Sequence, residues 1–176
     1  MSGQIADRGP DSRLTPSLVA HATDFAAVVR AVNGDHRLFN NVVVGPGGCN
    51  AFDHSVLTCF GSGSVYTGGS AGPSKYETAT FVNKSFDAGV SLTSVDGVSW
   101  FLQVTLDAGW SAQPRVLVTT ALLGNASIPQ QSYTRADNSS FVVDDFFGQS
   151  RAASPRPGPF EVVGALRVQV WPKPPR

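Results

Sequence analysis

Charge is scarce in this sequence and evenly balanced. Charged residues make up 15% of the 176 residues, with 13 Lys and Arg against 13 Asp and Glu, whereas an average soluble domain carries roughly 25%. Without a basic excess, the chain lacks the usual mark of a nucleic-acid-binding protein. Disorder is also excluded, because disordered chains combine high net charge with low hydrophobicity, and 41% of this chain is hydrophobic.

Long apolar runs are missing too. No stretch approaches the ~20 residues of a membrane span, so no membrane partner is expected. Residues 1–13 are polar and lack the apolar core of a secretory signal peptide. We expect this segment to be a loose leader.

Cysteine is rare, with only Cys49 and Cys59. A chain of this length buries about two-thirds of its extended surface and needs no disulfide to fold. Two free thiols are the favoured interpretation, because free cysteine is often buried; one disulfide, in an oxidising compartment, is the alternative. The chain shows no pattern of zinc ligands, and we expect neither a metal nor a cofactor.

Glycine and proline are abundant, with 18 and 12 residues, as in a turn-rich β-protein. The first patterned segment, 16–32, is ambiguous. Thr15-Pro16 resembles a helix start, apolar residues follow near helical spacing, and Asn33-Gly34 would cap the end. This predicts a helix, although the many β-branched residues leave extended structure open.

Strand signals dominate from residue 35 onward. Short apolar runs closed by glycine reach to about residue 67, and the segment 68–74 (GGSAGPS) is the best candidate boundary. Beyond it, Asp96-Gly97 predicts a two-residue hairpin turn between strands at 90–95 and 98–106. Further strands are predicted at 116–120, 141–143 and 161–171. The segment 75–171 therefore predicts an antiparallel β-sandwich, followed by a loose tail at 172–176.

Three segments resemble a known family. TPSLVAHATDF is similar to a segment of the form T-P-x(3)-A-H-x-T-E, and GDHRLFNNVVVG resembles G-D-x-R-[FL]-[YF]-N-N-x-[FV]-V-G. LVTTALLGNASIP with VDDFFGQSRAASPRPGPFE resembles a C-terminal stretch that contains D-x-F-G-x-x-R and closes on G-P-F-E. The family is that of right-handed parallel β-helix proteins that act on carbohydrates, of the glycoside-hydrolase kind.

The resemblance implies an all-β fold with two parts. Residues 14–70 would form terminal coils of a right-handed parallel β-helix, with 16–32 extended rather than helical. Residues 75–171 would form the accessory β-sandwich. The chain would then be the C-terminal part of a secreted or extracytoplasmic family member. An exposed coil end would be an open sheet edge that invites self-association.

Candidate catalytic residues cluster near the first resembling segment. Glycoside cleavage usually takes two carboxyl groups, and the resembling family carries Glu where this chain has Asp24, one methylene shorter. The resemblance therefore implies acid/base chemistry by Asp24 with His21, and Asp35 as the best second carboxylate. A displaced general acid would lose much of its rate. The alternative is that His21 and Asp24 are ordinary surface residues.

Candidate binding residues lie around and beyond this cluster. Arg37 and His36 follow Asp35 directly, and Asp53-His54 is a second acid/imidazole pair on a glycine-rich loop. Trp110 is the better candidate for stacking on a sugar, because the strand alternation places Trp100 on the buried face. The ligand would be a poly- or oligosaccharide.

Asp144-Asp145 has the look of a calcium site, but calcium requires six to eight oxygens and no dense acidic cluster surrounds the pair. We expect instead a turn in which Asp145 holds backbone amides, near or paired with Arg151.

Two functions remain open for the whole chain. One is glycoside hydrolysis, with the isolated chain inactive; the other is a non-catalytic module that binds glycans or caps a solenoid.

Overall fold

The computed structural model describes residues 14–30 and 32–173, so the predicted leader and residues 174–176 of the predicted tail lie outside the described residues. Within them the fold is all-β, with eleven strands, two short 3₁₀ turns and one four-residue helix. No helix in these ranges is long and apolar enough to cross a membrane.

The first element is a hairpin rather than a helix. Strands β1 (Leu14–Leu18) and β2 (Phe25–Arg30) pair antiparallel. The helix predicted for 16–32 is wrong, and the extended alternative is right. A helix needs a surface that covers its apolar stripe, but Leu18 and Phe25 remain 50% and 62% exposed. Because the described residues leave that stripe exposed, pairing between two extended segments is the better solution.

Six short strands follow as three successive pairs, namely β3 (Arg37–Phe39) with β4 (Val42–Val44), β5 (Phe60–Ser62) with β6 (Val65–Thr67), and β7 (Glu77–Thr78) with β8 (Phe81–Asn83). The first members form a parallel sheet in the order β3-β5-β7, and the second members form another in the order β4-β6-β8. The boundary predicted at 68–74 lies within this arrangement, because β7 and β8 follow it and pair with strands that precede it.

The chain turns between the two strands of each pair through a residue with positive φ. These residues are Asn40, Gly63 and Ala79, with φ of 56°, 75° and 48°. Asparagine and glycine adopt this conformation readily. Gly63 is also required by space, because a Cβ there would lie 2.4 Å from the Asn40 side-chain oxygen. Asn40 is therefore the first of three aligned corners.

A three-stranded antiparallel sheet completes the regular structure. It contains β9 (Ser91–Ser94), β10 (Trp100–Leu106) and β11 (Gly164–Trp171), with β10 in the centre. A hairpin forms around Asp96-Gly97 as predicted, but its turn is longer than the two residues expected. Ser94 pairs with Trp100 and the Val95 N–H donates to the Ser99 carbonyl, which leaves residues 96–98 in the loop. The strands predicted at 116–120 and 141–143 are wrong. They share a single bridge, Thr119 to Val142, and Thr120–Leu123 forms the helix α1.

The hydrophobic core lies between the β4-β6-β8 sheet and the antiparallel sheet. Val65 from the first sheet is completely buried and packs with Val104, Leu106 and Val168 from the second. Trp110, on a 3₁₀ turn at Ala108–Ala112, closes this core at 2% exposure. The two sheets therefore form one packed unit.

A hydrogen bond connects the two parallel sheets, from Tyr66 on β6 to Glu77 on β7. Tyr66 is fully buried, and its hydroxyl donates to the Glu77 carboxylate. Burial raises the pKa of Tyr66 and also that of the neighbouring Cys49 thiol. Cys49 and Cys59 are both free, which confirms the favoured interpretation of the two cysteines.

Candidate functional site

One candidate site is a cleft of about 530 Å³ between the β1–β2 hairpin, β3 and the segment 123–141. Its walls are mostly apolar, and Leu18, Leu123, Pro129, Tyr133 and Phe141 contribute to them. Polar side chains line the remainder, including His21, Gln131 and Thr134. An apolar cleft of this size with a few placed polar groups is typical of a small-ligand site. We call it the first cleft.

Gln131 attaches the hairpin to the cleft. Its side-chain oxygen accepts a hydrogen bond from the Ala20 N–H at 2.5 Å, and its Nε2 donates to the Leu18 carbonyl at 3.2 Å. His21 lies beside it with φ of 59°, and its Nε2 is 3.3 Å from Thr134 Oγ1. These contacts hold the turn of the hairpin at the rim of the first cleft.

Arg37 forms the inner wall of the first cleft and is firmly held. Its Nε donates to the Leu123 carbonyl and its Nη2 to the Asn125 carbonyl, both at 2.8 Å, and Nη1 donates to Asp35 Oδ1 at 2.7 Å. The guanidinium also lies over the Phe60 ring, 4.3 Å from its centroid. The side chain is only 10% exposed, so Arg37 organises the cleft rather than offering a free cation.

Asp35 is committed to the same network. One carboxylate oxygen accepts from Arg37, and the other accepts from the Ser127 N–H at 2.7 Å. Burial would raise the pKa of Asp35, but the Ser127 N–H and the Arg37 guanidinium outweigh it and hold that pKa below its ordinary value. The carboxylate is therefore ionised and occupied near neutral pH.

The three predicted catalytic residues are not brought to one point. His21 lies at the rim of the first cleft, whereas Asp24 is exposed at the hairpin turn and is not among the residues that line the cleft. Asp35 lies behind Arg37 with both oxygens engaged. Among the described residues, no pair of uncommitted carboxylates faces this cleft.

The other predicted binding residues, apart from Arg37, lie away from it. His36 packs on the Phe52 ring at 4.6 Å. Asp53, on the 3₁₀ turn Asn50–His54, accepts from the Ser74 hydroxyl and the Lys75 N–H, each at 2.7 Å. Burial opposes ionisation of Asp53, but these donors lower its pKa. His54 is exposed. This group closes a loop and does not extend the cleft.

The tryptophans are the reverse of what the sequence predicted. Trp110 packs edge-on against Phe86, with ring centroids 5.7 Å apart, and at 2% exposure no sugar can reach its ring. Trp100, predicted to be buried, is 38% exposed at the end of β10, opposite Trp171. Alternation identified the correct face of β10, since Leu102, Val104 and Leu106 pack in the core, but Trp100, its first residue, lies outside that core.

A second cleft, of about 460 Å³, lies beside the first and shares Arg37 and Leu123 with it. The β3–β4 segment contributes Phe39 and Asn41 to it, and the segment 143–159 contributes Asp144 and Phe146. We call it the second cleft, and we call Arg37 with Leu123 the partition.

Asp145 forms the expected turn at the edge of the second cleft. It is 8% exposed and accepts from the Gln149 N–H at 2.8 Å. Arg151 pairs with Glu161 at 2.6 Å rather than with Asp145, so that part of the expectation is wrong. Within residues 14–30 and 32–173, no group of three metal-ligating side chains occurs.

Sequence reasoning missed the polar residues that build these clefts. Gln131, Tyr133, Thr134 and Asn41 lie in turns or irregular segments with no periodic pattern. The contacts of Gln131 reach residues 111 and 113 positions away. No pattern in the sequence marks these segments as a site, although loops carry binding residues more often than strands do.

No protein-family model and no curated protein matches the sequence. The chain is similar to a solved structure described as the complex of XylC with xylose, with a TM-score of 0.79 and 19% sequence identity. The match covers 97% of this chain and 32% of that one, so the chain spans about a third of the length of that protein. This likeness shows the fold.

Proposed function

We propose that this chain is a glycan-binding β module at the end of a right-handed parallel β-helix protein of the carbohydrate-active kind. In this proposal the three strand pairs are the terminal coils, and the antiparallel sheet belongs to the accessory domain. The parallel register of both coil sheets supports it, as does the fold shared with XylC, whose structure is described as a complex with xylose.

The observation that carries the proposal is the first cleft. A pyranose ring has apolar C–H faces and a polar rim of hydroxyls, so it fits a site with aromatic and aliphatic walls and a few polar groups at the edge. Tyr133 and Phe141 supply aromatic walls, and His21 with Thr134 supplies the polar edge. Because Arg37 is held by Leu123, Asn125 and Asp35, the cleft is formed before a ligand arrives, and binding costs less ordering.

The geometry favours binding over hydrolysis. Retaining and inverting glycosidases both place two carboxyl groups on the scissile bond, roughly 5–5.5 Å or 6.5–9.5 Å apart. Asp35 has both oxygens engaged, and Asp24 lies outside the first cleft. Hydrolysis by Asp24, His21 and Asp35 is therefore the second candidate, and it rests on the sequence resemblance and on the position of His21.

The proposal is tested by calorimetric titration of the purified chain with xylose and with xylo-, cello- and manno-oligosaccharides. We expect dissociation constants near 1 mM, about 4 kcal/mol, for the sugars that bind. Tyr133→Ala and His21→Ala should weaken binding at least fivefold. His54→Ala, which removes an exposed histidine away from the cleft, should leave it unchanged. No binding by any of these sugars would overturn the proposal.

The same preparation separates the two candidates. Under the binding proposal, the wild-type chain releases no nitrophenol from aryl glycosides. Release by the wild type that is abolished in Asp24→Asn would establish hydrolysis instead. Circular dichroism of each variant checks that the fold is retained.

A further inference from the structure

The two clefts adjoin one another, and the partition between them is rigid. Arg37 donates hydrogen bonds through all three of its nitrogens, and Leu123 lies at the end of α1, a helix capped by the Thr119 hydroxyl. A ligand that extends from the first cleft into the second must therefore cross this partition, because the Arg37 side chain is held in place.

The second cleft has uncommitted hydrogen-bonding groups on both of its sides. Asn41 comes from the β3–β4 segment and Asp144 from the segment 143–159, and neither side chain has a hydrogen-bond partner among the described residues. Their neighbours differ in this respect. Asp145 is occupied by the Gln149 N–H, and Asn40 donates to the Val116 carbonyl. Two polar side chains left free in a preformed cavity point to a ligand rich in hydroxyl groups.

The charges around both clefts favour a neutral ligand. Arg37 is paired with Asp35, and Arg151 is paired with Glu161 and also donates to the Arg156 and Gly158 carbonyls. Asp144 is then the one acidic side chain of the second cleft that has no partner in the described part of the chain. A sugar carboxylate placed there would meet the like charge of Asp144, while both guanidinium groups are already paired. The Lys173 ammonium lies over the Phe146 ring, 4.6 Å from its centroid, so it is the cation that an acidic ligand would have to use.

We infer that the second cleft is a further subsite for a neutral oligosaccharide, which occupies the first cleft with one end and crosses the partition. Asn41 and Asp144 hold hydroxyl groups of the units beyond the partition, while Phe39 and Phe146 line the same space. The inference rests on the proposed function of the first cleft. It adds that the ligand is a chain of several sugar units and that contacts with Asn41 and Asp144 make the affinity depend on the number of units.

The test measures affinity against chain length, by calorimetric titration of the full chain with xylo- and cello-oligosaccharides of one to six units. We expect affinity to rise at least tenfold between the monosaccharide and the length that reaches the second cleft, and then to level off. Asn41→Ala and Asp144→Ala should remove this gain and leave monosaccharide affinity unchanged. Tyr133→Ala should weaken all lengths alike, and Gln103→Ala, on the exposed face of β10, should change nothing.

Charge is tested with oligogalacturonates of matched length. They should bind at least tenfold more weakly than the neutral chains, and Asp144→Asn should narrow the difference. Affinity that does not depend on length, or a length gain that survives both second-cleft variants, would overturn the inference while the proposed function stands. A lack of binding at every length would overturn the proposed function and this inference with it. Circular dichroism of each variant in the amide region checks that the fold is retained.

Discussion

The two-sheet core and the cleft region are held together in different ways. In the core, two regular sheets face each other and bury Val65 and Trp110 almost completely. In the cleft region, residues 113–160 contain one short helix and isolated bridges. Polar side chains attach most of this segment to the strand pairs, as in the hydrogen bonds of Asn40 to the Val116 carbonyl and of Arg115 to the Gly63 carbonyl, and only its end, at Phe146 and Phe160, packs with the core. Apolar burial specifies the scaffold, whereas directed hydrogen bonds specify the site.

Removing the central side chain of the core should give the largest effect. Trp110→Ala leaves a large cavity between the sheets and should cost about 4 kcal/mol of unfolding free energy, as measured by urea denaturation. Trp110→Phe should cost only about 1 kcal/mol, because the indole N–H has no partner among the described residues. A loss below about 1 kcal/mol for the alanine variant would show that the core does not depend on this residue.

An intermediate effect is expected from the partition. Arg37→Ala leaves Asp35 without its counter-charge and frees three carbonyls, those of Leu123, Asn125 and Asp35, which should cost about 3 kcal/mol. Hydrogen exchange should speed up at residues 123–134 and remain slow in β10 and β11, since the two regions are held separately. Arg135→Ala, at an exposed arginine, is the matched control and should change stability by less than about 0.5 kcal/mol. Equal loss of protection in both regions would contradict the separation.

The smallest effect should be a change in pH dependence. The Asp35 pKa is lower in the folded chain than in the unfolded one, so its stabilisation is present above the unfolded pKa of about 3.9 and disappears as pH falls through the folded value. Urea denaturation from pH 6 to 2.5 should therefore show stability falling below about pH 4. The fall should be shallower in Asp35→Asn, which should cost about 1 kcal/mol at neutral pH. Identical slopes for both proteins would contradict the role of this carboxylate.

Local signals in the sequence were sufficient for much of the scaffold. The Asp96-Gly97 hairpin and the Asp145 turn depend on residues within a few positions of each other, and both are in place. The helix predicted for residues 16–32 does not form, because an apolar stripe at helical spacing favours a helix only where another surface covers the stripe. The prediction that Trp100 is buried failed for a related reason. Alternation assigns a side chain to one face of a strand but does not tell how far along the strand the core extends.

The candidate site was predicted less well, and the cause is the range of its contacts. Arg37 was recognised as a site residue, but its carbonyl partners Leu123 and Asn125 lie 86 and 88 positions away. Any loop exposes carbonyls, so a sequence does not mark the ones that an arginine will select. The same holds for Gln131, whose partners belong to the hairpin backbone.

The aligned corners of the three strand pairs separate segments of constant length from segments of variable length. Leu38 pairs with Gly61, 23 positions on, and Gly61 pairs with Glu77, 16 positions on. In the other sheet, Val42, Val65 and Phe81 repeat the same two offsets. The strand–corner–strand unit thus keeps one length, and the whole difference of seven residues between 23 and 16 falls in the loops that join successive units. Those loops can therefore gain or lose residues while the strands and corners that carry Arg37 and Asn41 keep their spacing. The length of a loop can change without changing the residues that line the two clefts.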